Sequence, residues 1–454
     1  MSSSIDERPA AWADAGPPAN GSTGTTGTST VAATRRRSTS ARVQARRARR
    51  RKRIIVITAV VVAALLLLPI GSSYLAALTE SGSTETPFQR TVQWVRSNGG
   101  NGVVNTAERW YYTTLGAPKK GGRPDAVKAI GLREAALPKQ TTVTTLPVRA
   151  ISTPPPTTPV PTPAPVPEPG EGVWVPSGRL VDGRPAIYTT WVRPDAVRTS
   201  YTTSLMWIDP QLLKFVYVPG TKQPGGGPNP WESMIPPDQR GALVAAFNSG
   251  FQMVHARGGA YVAGETVVPM RDGGATLVVK TDGSASVGAW GRDFQMGPDI
   301  AAARQNLELL VDGGQLNPEL REDDTSAFGA TVGNNVYVWR SGIGVLPTGG
   351  LVYAAGPAQS VLSLAKTLQA AGAVRAMELD INHDWVTGYL FSSPDPADPT
   401  AVVGEKLHDG MSRDGTRYLS PGVVDFFALF ADPQFPAPTT ATTLPTPTTA
   451  PRRP

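Results

Sequence analysis

Met377-Glu378-Leu379-Asp380-Ile381-Asn382-His383-Asp384-Trp385 alternates apolar with polar side chains, so an extended chain there carries Glu378, Asp380 and Asn382 on one face. Carboxylates gathered on a buried face are costly to desolvate without partners, so the cluster suggests a cleft that handles a ligand or moves a proton. An edge strand with one solvated face gives the same pattern, and this segment leaves both readings open. Asp380, Asn382, His383 and Asp384 also supply the donor types of a divalent-cation site for Mg²⁺ or Ca²⁺, provided the chain bends after Asn382. No other cofactor is expected. His255 and His408 read as ordinary polar residues, and Trp385 and Trp290 as core or cleft wall.

Three further places bring polar groups and glycines together beside expected strand ends, where backbone can approach a ligand closely. Val244–Phe247 leads into Asn248-Ser249-Gly250-Phe251, Leu309–Val311 into Asp312-Gly313-Gly314, and Trp339 into Arg340-Ser341-Gly342-Ile343-Gly344. Each taken singly has a turn explanation, Asp312-Gly313-Gly314 most simply.

In this order the residues resemble the phosphodiester glycosidase family. Its pattern runs Asn-Gly-Gly-Phe, Leu-Val-x-(Asp/Asn)-Gly, Arg-Thr-(Ala/Gly)-Ile-Gly, a helix with Leu-x-x-Leu-Ala, and Ala-x-x-Leu-Asp-Gly-Gly-Gly-Ser. The matching positions are Asn248 to Phe251, Leu310 to Gly313, Arg340 to Gly344, Leu362 to Ala365 and Ala376 to Asp380. The resemblance covers Ala242 to Phe391, and its collinearity is more specific than any one motif. It implies hydrolysis of a sugar from a phosphodiester. The final motif departs from the pattern, since Ile381-Asn382-His383-Asp384 stands where glycines would let backbone amides wrap an anion.

Such a reaction needs donors for the non-bridging phosphate oxygens and carboxylates near the anomeric carbon. On the resemblance, Asp380 is the central catalytic carboxylate, with Glu378 and Asp312 as further candidates. Arg340 offers a planar fork for phosphate, although a salt bridge is its other reading, and Asn248, Gly250 and Asn382 complete the expected substrate contacts. Loss of catalysis, leaving a module that binds envelope polysaccharide, is the alternative that the altered motif keeps open.

These residues must be positioned by a folded region smaller than the chain. Of 454 residues, 44 are Pro and 47 Gly, unevenly spread, and long stretches hold little else but Thr, Ser and Ala; no cysteine is present to form a disulfide or a thiolate site. The net charge of +7 is uneven. Residues 1–53 hold 12 of the 43 Lys and Arg and three of the 36 Asp and Glu, which leaves 31 against 33 for the rest. The remainder is near neutral, so no nucleic-acid partner is expected.

From Ile54 to Leu78 the chain is free of charge and long enough to cross a hydrocarbon core of about 30 Å as a helix. Eleven basic residues between Arg35 and Arg53 precede it, which places the N-terminus in the cytoplasm and the rest outside, single-pass in the cell membrane. A lead of 53 residues is long for a cleavable signal peptide and favours an uncleaved anchor. The expected partners are that membrane and an envelope glycan or glycolipid.

The expected organisation is a disordered basic arm over 1–53, a transmembrane helix over 54–78, a small extracytoplasmic segment over 79–140 and a Pro/Thr stalk over 141–172. A catalytic domain over 173–435 and a disordered Pro/Thr tail over 436–454 follow. Within the domain, Asp282-Gly283 between Thr276–Lys280 and Ser284–Val287 predicts a hairpin, as do Gly333-Asn334-Asn335 and Thr348-Gly349-Gly350. Ser360 to Ala371 predicts a helix with Leu362, Ala365 and Leu368 on one face and Gly372 at its end. The fold class that results is α+β, with a mostly β centre and packed helices.

Overall fold

A computed structural model describes residues 30–79, 87–100, most of 102–110, 118–125, 132–133 and 155–431, except 332–334 and 396. The expected tail, residues 1–29 and the Gly333-Asn334 turn lie outside these residues. The chain divides into two units, Met1–Ala76 and Ala77–Pro454. A helix begins in the first at Thr30, well before the expected span, and ends at Leu78, two residues past that unit. Its part from Arg46 contains a stretch of mean hydropathy 2.9, long and apolar enough to cross a membrane.

The second unit is mixed α and β, built on three largely antiparallel sheets. The first orders β1 (Leu132–Arg133), β2 (Val175–Val181), β3 (Arg184–Val192), β4 (Thr203–Ile208), β15 (Leu351–Gln359), β14 (Val338–Val345), β16 (Arg375–Glu378), β12 (Leu309–Asp312) and β13 (Gln315–Leu316). The second orders β10 (Ala285–Ala289), β9 (Ala275–Lys280), β11 (Ile300–Gln305), β7 (Ala260–Val262) and β8 (Glu265–Val268). The third orders β18 (Val403–Lys406), β17 (Gly388–Ser392), β6 (Leu243–Asn248), β19 (Phe426–Ala431) and β5 (Leu213–Val218).

One apolar cluster is shared by all three sheets. It takes Met206, Ile343, Tyr353 and Met377 from the first, Leu277, Val279 and Ala302 from the second, and Phe215, Phe247 and Phe427 from the third. The opposite face of the first sheet, with Leu205, Val352, Ala354 and Ala376, packs under the helix Val361–Ala370 through Leu364, Ala365 and Leu368. Because both faces are covered, β4 reads Thr-Ser-Leu-Met-Trp-Ile and every residue in it is buried.

That helix forms as its sequence demands. Ser360 caps it, its hydroxyl accepting from the Ser363 amide at 3.0 Å, and the amides of Gly372 and Ala373 return to the carbonyls of Gln369 and Leu368. Ser360→Ala should cost about 1 kcal/mol in chemical unfolding. The expected Asp282-Gly283 and Thr348-Gly349-Gly350 hairpins join β9 to β10 and β14 to β15.

Two expectations are corrected here. Arg340 to Gly344 does not follow a strand end but lies inside β14, between β15 and β16. A Cβ at Gly342 would meet Leu368 Cδ1 and the Met377 carbonyl oxygen at 2.9 Å, so this glycine serves helix-on-sheet packing and not ligand approach. The expected stalk over 141–172 is docked from 155 onward. Val160 joins the cluster under the helix, its amide donates to the Gly172 carbonyl at 2.9 Å, and Glu171 pairs in the interior with Arg193 at 2.7 Å. Pro/Thr composition limits helix and sheet formation but leaves an extended chain free to pack laterally. Leu132-Arg133, within the expected 79–140 segment, adds an edge strand to the first sheet.

Candidate functional site

The three sheets meet where β6 ends at Asn248, β11 ends at Gln305, β16 ends at Glu378 and β19 begins after Asp425. At this junction Asn306 reaches in two directions. Its side-chain amide donates to the carbonyls of Glu378 and Leu379 at 2.9 and 3.1 Å, and its carbonyl accepts the Phe251 amide at 3.1 Å. A Cβ on Gly250 would stand 2.9 Å from Asn306 Cγ, so Gly250 lets the Asn248–Phe251 turn close onto this bridge.

Asn248 is the hub. Its side-chain oxygen accepts from the Tyr353 hydroxyl at 2.8 Å and the Thr387 amide at 3.0 Å, and its nitrogen donates to the Ser249 carbonyl at 2.7 Å and Ser341 Oγ at 3.0 Å. Both donors and both acceptor positions of the amide are used, which leaves no capacity for the substrate contact expected of this residue.

Asp380 lies just past β16, not within it. The strand stops at Glu378, and the chain turns as Asp380 Oδ1 accepts the Asn382 amide at 2.8 Å. The Asp380 carbonyl receives both the amide and the hydroxyl of Ser341 at 2.9 Å. Burial pushes its carboxyl up to about 7, against the amides of Asn382 and Ile381; Asp425 adds to the rise and Arg304 opposes it. The residue is 8% exposed, so a titrating carboxylate sits at the edge of the interior.

Arg304 and Asp425, which the sequence reading did not single out, form the charged pair behind it. Arg304 Nε donates to Asp425 Oδ2 at 2.7 Å, Nη1 to the Gln305 carbonyl at 2.6 Å, and Nη2 to the Phe251 carbonyl. The Tyr217 hydroxyl donates to the same Asp425 oxygen at 2.6 Å. Among the described residues, Asp425 Oδ1 and the Ser249 hydroxyl are buried without hydrogen-bond partners. Two polar atoms are therefore left unsatisfied at this junction.

Glu378 and Arg340 are corrected to a separate role. Arg340 Nη1 meets Glu378 Oε1 at 2.6 Å with both side chains inaccessible, and Arg340 Nε donates to the Gln359 carbonyl at 3.0 Å. The guanidinium expected to hold phosphate is thus committed inside the protein. The register Gly342↔Glu378 explains it, because Arg340 lies two residues along the same strand face. Burial pushes Glu378 up to about 7, with Arg340 opposing and Asp324 adding. The neutral form is thereby favoured by folding. Stability from this group is fully present below about 4.5 and is lost as pH rises through about 7. Urea unfolding should show a loss on the order of 3 kcal/mol from this group between pH 4.5 and 8, and Glu378→Gln should remove that share of the slope.

Asp312 is placed elsewhere. It closes the tight β12–β13 turn and pairs with Arg292 at 2.6 Å, beside Arg375 at the opposite end of β16 from Asp380. There it lines a cavity of about 710 Å³ together with Trp290, Arg292, Glu308 and Asn317.

The expected cation ligands also diverge. Asn382 Oδ1 caps the Asp384 amide at 2.9 Å, and His383 stacks on Trp339 at 5.2 Å and contacts the Gly410 carbonyl at 3.2 Å. Among the described residues no three His, Asp or Glu side chains are grouped to hold a metal ion.

No protein-family model and no curated protein matches the chain. Among solved structures it is similar to the catalytic domain of zebrafish N-acetylglucosamine-1-phosphodiester alpha-N-acetylglucosaminidase, auto-inhibited by its pro-peptide. The two share 14% identity over 55% of this chain and 85% of that one, with a TM-score of 0.36. A hypothetical protein from Synechocystis is similar at 12% identity over 56% of this chain and 63% of that one, with a TM-score of 0.32.

Proposed function

We propose that this chain is a hydrolase that cleaves a sugar from a phosphodiester-linked glycan or glycolipid, with Asp380 as the reacting carboxylate. One observation carries the reading. The Asp380 carboxyl, tuned to about 7, stands 8% exposed at the junction of three sheets, its backbone fixed by Ser341, with Arg304 favouring its charged form and Asp425 opposing it. The collinear motifs around Asn248, Asp312, Arg340 and Asp380 support the substrate class.

Phosphate is a good leaving group, so the enzyme must chiefly stabilise positive charge at the anomeric carbon and supply the attacking group. Ionised Asp380 does this, either by direct attack or by taking a proton from water. Asp425, already committed to Arg304 and Tyr217, holds the frame and the local field.

The helix before the second unit acts as a single-pass anchor, with the basic arm on the cytoplasmic side and the substrate in the envelope. The test is hydrolysis of a panel of sugar phosphodiesters by the detergent-solubilised full chain. Turnover of at least one, released as free sugar and phosphomonoester, is the expected result.

A binding module without turnover is the second reading. It is favoured by Ile381, which packs against the cluster under the helix where family members carry a glycine. Glycan binding equal in wild type and Asp380→Asn, with no hydrolysis, would replace the enzyme reading by this one.

A further inference from the structure

Arg417 is 3% exposed, and its Nη2 is buried without a hydrogen-bond partner. Among the described residues no carboxylate pairs with it. Its guanidinium carbon lies 5.7 Å from the Trp385 ring centroid and 5.4 Å from that of Tyr418. Arg413, 6% exposed, stands over the same indole at 5.0 Å, and its Nε donates to the Asp384 carbonyl at 3.3 Å. Asp414, the acid nearest in sequence, is occupied by the Thr416 amide at 2.9 Å and hydroxyl at 2.5 Å. A buried cation stacked on aromatic faces and lacking a counter-ion is costly, and an anion from outside is its natural complement.

The place is continuous with the candidate site. The Tyr418 hydroxyl meets Thr387 Oγ1 at 2.6 Å, and the Thr387 amide bonds Asn248. Burial raises the Tyr418 phenol, Arg417 opposes the rise, and Asp425 and Asp380 add to it, so the cation and the reacting carboxylate act on one group.

We infer that Arg417, with Arg413 across the Trp385 indole, forms an anion subsite that receives the phosphoryl group of the substrate. The ligand's identity as a sugar phosphodiester rests on the function proposed above; the affinity for a phosphate oxyanion does not. Arg417 presents a planar donor fork to two non-bridging oxygens, the part that Arg340 cannot play.

The test uses the full chain in detergent micelles with inorganic phosphate as probe, followed by melting temperature and tryptophan fluorescence. Wild type should gain roughly 5 °C at a hundredfold excess over Kd. Arg417→Met should start from a higher melting temperature, because an uncompensated charge is gone, and should bind phosphate at least about tenfold more weakly. Arg417→Lys should recover part of the response.

Should Arg417→Met fail to fold, Gly422→Ala gives the same answer by another route. A Cβ there would collide with Arg417 Nη1, displacing the guanidinium while keeping its charge, and the phosphate response should fall as well. No phosphate response in wild type, or an equal one in Arg417→Met or Gly422→Ala, overturns the subsite. Hydrolysis of a sugar phosphodiester by Arg417→Met with unchanged KM overturns it too while leaving the enzyme reading intact. Phosphate held through Arg417 with no sugar phosphodiester turned over keeps the subsite and removes the enzyme reading.

Discussion

Asp380→Asn should lower turnover of a sugar phosphodiester by about 10³-fold or more while making the protein more stable above pH 7. The two effects share one cause. Folding takes the Asp380 carboxyl from its ordinary 3.8 up to about 7, chiefly by burial, so the charged form needed for reaction is the one the fold disfavours. Stability from the neutral carboxyl is complete below about 3.8 and is lost as pH rises through about 7. An asparagine keeps the Asn382 contact and never ionises, so it should recover about 2–4 kcal/mol at pH 8. In wild type, kcat/KM should rise with pH to a plateau with a midpoint near 7, since the ionised carboxylate reacts. Wild-type turnover in Asp380→Asn, or an activity that falls as pH rises through 7, would remove Asp380 from the reacting role.

The second large effect concerns stability. Arg304→Met leaves Asp425 in the interior with only Tyr217 as partner and frees the Phe251 carbonyl, so it should cost about 3–5 kcal/mol. Adding Asp425→Asn removes the stranded charge and should return at least about 1 kcal/mol, read as a coupling energy in a double-mutant cycle by urea unfolding. Strict additivity of the two single changes, each under about 1 kcal/mol, would mean that the pair does not hold the junction.

Local order was legible wherever local chemistry decided it. Ser360, the apolar face through Ala365 and Leu368, and Gly372 specify a helix from local signals alone, and Asp282-Gly283 specifies a hairpin. The candidate site was legible in part. The neighbours of Asp380 mark it as a candidate, but period-two spacing carries the strand too far, because an aspartate that accepts the amide two residues on turns the chain instead of extending it. Arg340 looked available because a sequence does not show that Glu378 faces it across the β14–β16 register.

Arg304 and Asp425 were missed, although each left a trace. One sits in Ile-Ala-Ala-Ala-Arg-Gln and the other directly before Phe-Phe-Ala-Leu-Phe, lone charges of opposite sign in or beside core-type strands. A charge in such a strand requires a partner, and two of them imply each other. The docking of Val160 had no such trace, since a Pro/Thr tract reads the same whether or not a sheet lies beneath it.

The junction draws Asn248, Arg304, Asp380 and Asp425 from four distant points of the chain, and β6 lies between β17 and β19, the last strand among the described residues. Nothing local can assemble it. During synthesis Leu243–Asn248, an apolar edge, waits for partners that emerge some 140 to 180 residues later, a long loop to close and a sticky surface meanwhile. Assembly of the junction is therefore a late event of folding, and a growing or interrupted chain that lacks β17 and β19 leaves β6 exposed and prone to aggregate.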